Sequence, residues 1–178
     1  MNGCIYLIGF MGVGKSHVGR CLSGKLGVRY VDADAEIEKQ QGMSISAIFE
    51  KQGEEEFRDM ETSFLRKMAG TGNAVVSCGG GMVLRPENRA LMKESGKTVH
   101  LLATPETVYE RVRHSTARPL LNGRMNPEAI RALMEERRER YENAADIRVV
   151  TDGKKPDEIA EEIQRILFPA SQSSGDFA

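Results

Sequence analysis

The residues Gly9-Phe-Met-Gly-Val-Gly14-Lys15-Ser16 read G-x-x-x-x-G-K-S, a spacing suited to cradling phosphate. Glycines let backbone N–H groups converge on an anion, the lysine reaches the β- and γ-phosphates, and the serine hydroxyl can ligate Mg2+. Five further groups are equipped for chemistry. Asp32-Ala33-Asp34 sets two carboxylates at i and i+2. Arg58 and Glu61 are three apart and can pair on one helix face, a spacing that alone describes an ordinary surface pair. Gly79-Gly80-Gly81 lets another group approach the backbone closely, or serves as a loose turn. Arg137 lies on the apolar face of a helical pattern, where it needs an anionic partner or a wet cleft. Arg111, Arg113, Arg118 and Arg124 fall in a stretch with Ser115, Thr116, Pro119, Asn122 and Gly123, a polar and flexible composition that predicts a mobile lid over 111–124.

The elements that must hold these groups follow from periodicity. The apolar run Cys4–Ile8 predicts a buried strand ending at Gly9, and a helix starting near Lys15 would aim its partly positive end at the same anion. Val18, Cys21, Leu22 and Leu26 mark one face of that helix, which stops at Gly27. A strand over 28–31 delivers Asp32 and Asp34 to its C-terminal end, where ligands sit in open parallel sheets. One of the two also suits the N-cap of a helix over 35–41. Ser44 caps a short helix, and Gly53 separates it from a longer one striped with Phe57, Met60, Phe64, Leu65 and Met68. A third strand over 73–78 leads into the glycine triplet. Pro86 opens a helix toward Gly96, a fourth strand covers 98–103, and Thr104-Pro105 starts the next helix. Asn126-Pro127 caps a helix with Ile130, Leu133, Met134 and Tyr141 inward. A fifth strand covers 146–150, and Ile159, Ile163, Ile166 and Leu167 define a last helix. His100 reads as a satisfied core or edge histidine rather than a ligand, and His17 and His114 have no metal-like company. The serine-rich 169–178 has no periodicity and is expected to be a disordered tail. Alternating β and α segments give an α/β class with a parallel sheet in a single domain over 1–168.

Composition narrows the function classes. The chain has 178 residues and is 40% apolar, enough for one domain with a real core. Its 25 basic and 26 acidic residues nearly cancel, so no bulk field favours nucleic acid and any anion site is local. Cys4, Cys21 and Cys78 are odd in number and widely spaced, which predicts reduced thiols rather than a disulfide framework. No apolar stretch approaches 18 residues and no leader pattern opens the chain, so a cytoplasmic location and no membrane partner are expected.

The chain resembles the shikimate kinases, small members of the nucleoside monophosphate kinase-like group of phosphate-loop proteins. The likeness rests on Gly9 to Ser16, Asp32-Ala-Asp34, Phe57-Arg58-Asp-Met-Glu61, Gly79-Gly80-Gly81, Arg118-Pro-Leu-Leu121 and the Arg137 to Tyr141 spacing, in that order over residues 4–168. The resemblance implies a three-layer α/β/α fold with a five-stranded parallel sheet in the order 2-3-1-4-5. It implies transfer of the γ-phosphoryl group of ATP to the 3-hydroxyl of shikimate, a step toward chorismate and the aromatic amino acids, by a monomer with Mg2+. ATP would meet Gly12, Val13, Gly14, Lys15, Ser16, His17, Arg118 and Lys154, with Arg113, His114 and Pro156 as further adenine candidates. Shikimate would meet Asp34, Arg58, Gly80 and Arg137. Ser16 would ligate the metal directly and Asp32 through water, and Lys15, Asp34 and the lid residue Arg118 would act in catalysis. Glu61 would orient Arg58. The chain departs from the family pattern at Glu139-Arg140, where Pro-Leu is usual before the tyrosine, and at His17, where Thr is common. Two other functions fit the phosphate loop: a gluconate kinase with a different acceptor half, and a non-enzymatic nucleotide switch.

Overall fold

The computed structural model describes residues 3–113 and 126–169. Arg118, His114 and most of the expected lid and tail therefore lie outside the described residues. Five strands, β1 (Cys4–Ile8), β2 (Arg29–Asp32), β3 (Ala74–Ser77), β4 (Gly96–Leu102) and β5 (Ile147–Val150), form one sheet in the order β2-β3-β1-β4-β5. Every pairing is parallel, so all five C-terminal ends lie along one edge. The helices are α1 (Lys15–Leu26), α2 (Ala33–Gln41), α3 (Ile45–Thr71), α4 (Pro86–Ser95), α5 (Pro105–Val112), α6 (Pro127–Ala144) and α7 (Pro156–Leu167).

Side chains two apart on a strand point to the same face, and β1 uses that period to build two cores. Ile5 and Leu7 pack with Val18 and Leu22 of α1, Val108 and Val112 of α5 and Ile159 and Ile163 of α7. Cys4, Tyr6 and Ile8 pack on the other face with Ile37 of α2, Phe64, Leu65 and Met68 of α3 and Met92 of α4. Buried on both faces, β1 reads as a continuous apolar run, as central parallel strands do. Helix α6 reaches both cores, with Ile130 in the first and Tyr141 in the second.

Local chemistry sets the element ends. Asp32, Ser44, Thr104 and Asn126 each accept a backbone N–H of the first turn of α2, α3, α5 and α6. Gly53, at φ 87° and ψ 172°, breaks α3 into the two helical segments expected there. Two differences from the sequence reading have physical causes. β4 begins at Gly96 because that residue pairs with Cys4, and a Cβ there would collide with the Cys4 backbone. Ile166 of α7 is 45% exposed, so the buried stripe runs through Ile159, Ala160 and Ile163 instead.

β1 and β3 are neighbours, and the chain leaves them toward opposite sides of the sheet, β1 to β2 and β3 to β4. Such a reversal opens a crevice beyond the carboxyl ends of the strands. The phosphate loop, Asp32-Asp34 and the glycine triplet all start there.

Candidate active site

Gly9, Gly12 and Gly14 take φ values of 141°, 78° and 101°, which only glycine adopts without strain. Gly14 is also the N-cap of α1 and offers no side-chain cap, so the first N–H groups of the helix suit an anion. Lys15 donates from Nζ to the carbonyls of Gly9 at 2.8 Å and Phe10 at 3.0 Å, which places its charge at the centre of the loop. Val13 is buried beneath the loop and His17 is exposed on α1.

Beside the loop, Ser16 donates its hydroxyl to Asp32 Oδ2 at 3.2 Å, and Tyr30 donates to the same oxygen at 3.0 Å. Asp32 Oδ1 accepts the N–H of Ala35 at 3.3 Å, so one carboxylate caps α2 and also faces the loop. No group of three or more His, Cys, Asp or Glu side chains that could hold a metal exists among the described residues. A hydroxyl beside one carboxylate suits Mg2+, which keeps several waters and takes few protein oxygens beside those of phosphates.

The acceptor half is built around the glycine triplet. A Cβ on Gly79 would lie 2.5 Å from Asp34 Oδ1 and 3.2 Å from Glu61 Oε1, and one on Gly81 would lie 2.7 Å from Arg58 Cζ and Nη2. The outer two glycines are therefore spaces that Asp34, Glu61 and Arg58 fill. The sequence singled out Gly80, whose Cβ would meet nothing nearer than the Tyr141 hydroxyl at 3.6 Å. Arg58 Nη1 donates to Glu61 Oε2 at 2.8 Å and Nη2 to Glu54 Oε1 at 2.7 Å. Arg58 and Glu61 are buried, so the pair is not the surface pair its spacing alone describes. Burial opposes the charge of Arg58, and Glu61 and Glu54 outweigh it. Burial pushes Glu61 up to about 7, Arg58 pulls it down, and the nearby Asp34 charge pushes it further up.

Arg137 is half-buried while Arg138 and Arg140 are exposed, as its place on the apolar stripe predicts. Four residues on, Tyr141 donates its hydroxyl to the Gly80 carbonyl at 2.6 Å. Burial pushes that hydroxyl up to about 12, with the Arg137 charge pulling the other way. His100 stacks on the Tyr141 ring at 4.9 Å between centroids. It is a core histidine, but not the satisfied one expected: among the described residues its Nδ1 has no hydrogen-bond partner. Burial, helped by the charges of Arg148 and Lys15, lowers it to about 4 and keeps the ring neutral at pH 7.

One assignment changes place. Arg111 and Val112, expected within the lid over 111–124, belong to α5, because the apolar stripe of Val108 continues to Val112. Arg111 donates to the Gly12 carbonyl, to Thr151 Oγ1 and to the Thr151 carbonyl at 3.2–3.3 Å, so it ties the phosphate loop to the end of β5. Lys154, an ATP candidate with Pro156, has its ammonium on Glu162 at 2.6 Å, and Pro156 opens α7. Arg113, another adenine candidate, pairs with Glu110 at 3.1 Å.

The structure thus brings Lys15, Ser16, Asp32, Asp34, Arg58 and Gly80 to one edge of the sheet, with Arg137 one turn from the Tyr141 contact. Known proteins are similar to this chain. The family model described as shikimate kinase matches residues 11–168. A shikimate kinase of Persephonella marina is 47% identical over 159 residues, which cover 89% of this chain and 95% of that protein. Among solved structures, shikimate kinase from Acinetobacter baumannii in complex with shikimate aligns with a TM-score of 0.89 at 34% identity, covering 94% of this chain and 93% of that one. Shikimate kinase from Aquifex aeolicus aligns with a TM-score of 0.80 at 42% identity, covering 92% and 95%. Identity of this order along nearly the whole length, together with a family model that matches residues 11–168, means that the chain belongs to the shikimate kinase family.

Proposed function

We propose that this protein transfers the γ-phosphoryl group of ATP to the 3-hydroxyl of shikimate, giving 3-phosphoshikimate and ADP. The observation that carries this reading is the pairing, at one sheet edge, of a phosphate loop with an acceptor half that has Arg58 and Arg137 for a carboxylate and Asp34 for hydroxyls. A guanidinium offers a planar fork that matches a carboxylate, and a carboxylate accepts from hydroxyls. A nucleotide switch has no need of such a grip, whereas gluconate also carries a carboxylate and hydroxyls and is separated by the acceptor panel below.

Phosphoryl transfer asks a protein mainly for positioning and charge neutralisation. The loop N–H groups from Gly12 to Ser16 and the α1 terminus hold the β-phosphate, and Lys15 exchanges the Gly9 and Phe10 carbonyls for phosphate oxygens. Ser16, with Asp32 through water, would hold Mg2+, which supplies charge neutralisation on the phosphates. Arg58 and Arg137 fix the ring of shikimate by its carboxylate, the Gly80 backbone lies against it, and Asp34 aligns the 3-hydroxyl. The hydroxyl oxygen forms its bond to the γ-phosphorus as the bond to the β–γ bridging oxygen breaks. ADP leaves, and the hydroxyl proton passes to Asp34 and then to water. Residues 1–168 act as one domain and as a monomer, as the resemblance implies. Free Cys4, Cys21 and Cys78 suit the reducing cytoplasm, and no helix among the described residues is long and apolar enough to cross a membrane.

The test is ADP release by the purified protein with Mg2+ and ATP against shikimate, gluconate and no acceptor. Release with shikimate alone is the expected result, and release with gluconate or without acceptor would replace the assignment.

A further inference from the structure

The guanidinium of Arg58 carries two anionic partners of different character. Glu61 on Nη1 is 1% exposed in its side chain and Glu54 on Nη2 is 59% exposed, while Arg58 itself is 9% exposed. Two more groups lie against it. The Phe57 ring lies 5.5 Å below Cζ, and the Gly81 backbone sits where a Cβ would collide with Cζ and Nη2. Of the two carboxylates on the fork, Glu54 alone reaches water. It stands directly after the Gly53 break, on the first turn of the second α3 segment, which aims it at Arg58 four residues on.

A third carboxylate arriving at this fork would put three anions around one cation. One must leave, and removing Glu61 would strand a buried charge, which is far costlier than returning an exposed glutamate to solvent. We propose that Glu54 is a built-in competitor for the substrate carboxylate: it occupies Nη2 of Arg58 when the site is empty and is displaced on binding. This inference rests on the reading of Arg58 as the carboxylate grip. In the empty protein the contact keeps the fork oriented and neutralised, and its release weakens the apparent affinity for the acid substrate. Exposed pairs of this kind shift an equilibrium by about two- to fivefold.

Calorimetric titration of shikimate into wild-type protein, Glu54→Gln and Glu56→Gln tests this. Glu56 is an exposed neighbour outside the Arg58 pairs, so it reports the general effect of deleting a negative charge. Glu54→Gln should bind shikimate about two- to fivefold more tightly than wild type, with Glu56→Gln changed by less and nucleotide affinity the same in all three. Equal or weaker binding by Glu54→Gln, or equal tightening by Glu56→Gln, overturns the competitor while leaving the carboxylate grip in place. No shikimate binding by the wild type overturns the grip and the competitor together.

Discussion

Tyr141 of α6 donates its hydroxyl to the carbonyl of Gly80 at 2.6 Å, a contact between residues 61 apart in sequence. It joins the helix that carries Arg137 to the triplet at the end of β3, and His100 backs the ring from β4. Tyr141→Phe keeps the stack and removes the hydrogen bond. It should cost about 1 kcal/mol of stability and raise the KM for shikimate about fivefold, because the Gly80 carbonyl loses its anchor. The KM for ATP should not move. Steady-state kinetics with each substrate varied in turn decides this, and a change in the ATP value alone would show that the contact belongs to the other half of the site.

Gly79 takes a φ open to other residues, since it is absent from the positive-φ glycines. Its lack of a side chain matters for space alone. Gly79→Ala would press a methyl against Asp34 and Glu61 and should lower kcat/KM for shikimate by about 10² or more, as small displacements of reacting groups do. Gly24→Ala serves as control, because nothing lies within 4 Å of its Cβ position in α1; it should gain about 0.5–1 kcal/mol of stability with full activity. A fully active Gly79→Ala would mean that the triplet is only a turn.

Glu61 titrates at about 7 in the folded protein against 4.5 ordinarily. The folded state therefore binds more protons than the unfolded state between these values. Its favourable contribution is complete below about pH 4.5 and is lost as pH rises through about 7. Glu61→Gln removes that titration. Urea unfolding of both proteins at pH 5 and pH 8 should show the variant gaining on wild type by on the order of 2 kcal/mol between the two. A stability difference that is the same at both values would mean that Glu61 titrates normally.

Features that neighbours in sequence settle are legible from the sequence alone. The phosphate loop, the Asp32 cap, the Gly53 break and the inward placing of Arg137 follow from runs of fewer than ten residues. The strand order came from resemblance, because periodicity does not say which strand lies beside which. The outer glycines of the triplet were beyond reach for the same reason: their partners Asp34, Arg58 and Glu61 stand on α2 and α3. Arg111 reads as part of a lid because the composition that follows it is loop-like, whereas its partners Gly12 and Thr151 are 99 and 40 residues away. His100 reads as core from its strand, but its stack on Tyr141 depends on a ring that arrives from α6. Gly96 reads as a helix stop from its neighbours and becomes the first residue of β4 through its pairing with Cys4.

The proposed reaction is a phosphoryl transfer directed to one hydroxyl by a carboxylate grip and Asp34. Phosphorus–proton correlation NMR of the product formed from ATP, Mg2+ and shikimate tests it most directly. A single new phosphate resonance coupled to the proton on C3 of the ring is the predicted result. A phosphate on another hydroxyl, a mixture of positions, or inorganic phosphate in place of a sugar-like ester would contradict the placement of the acceptor against Asp34 and the arginine pair.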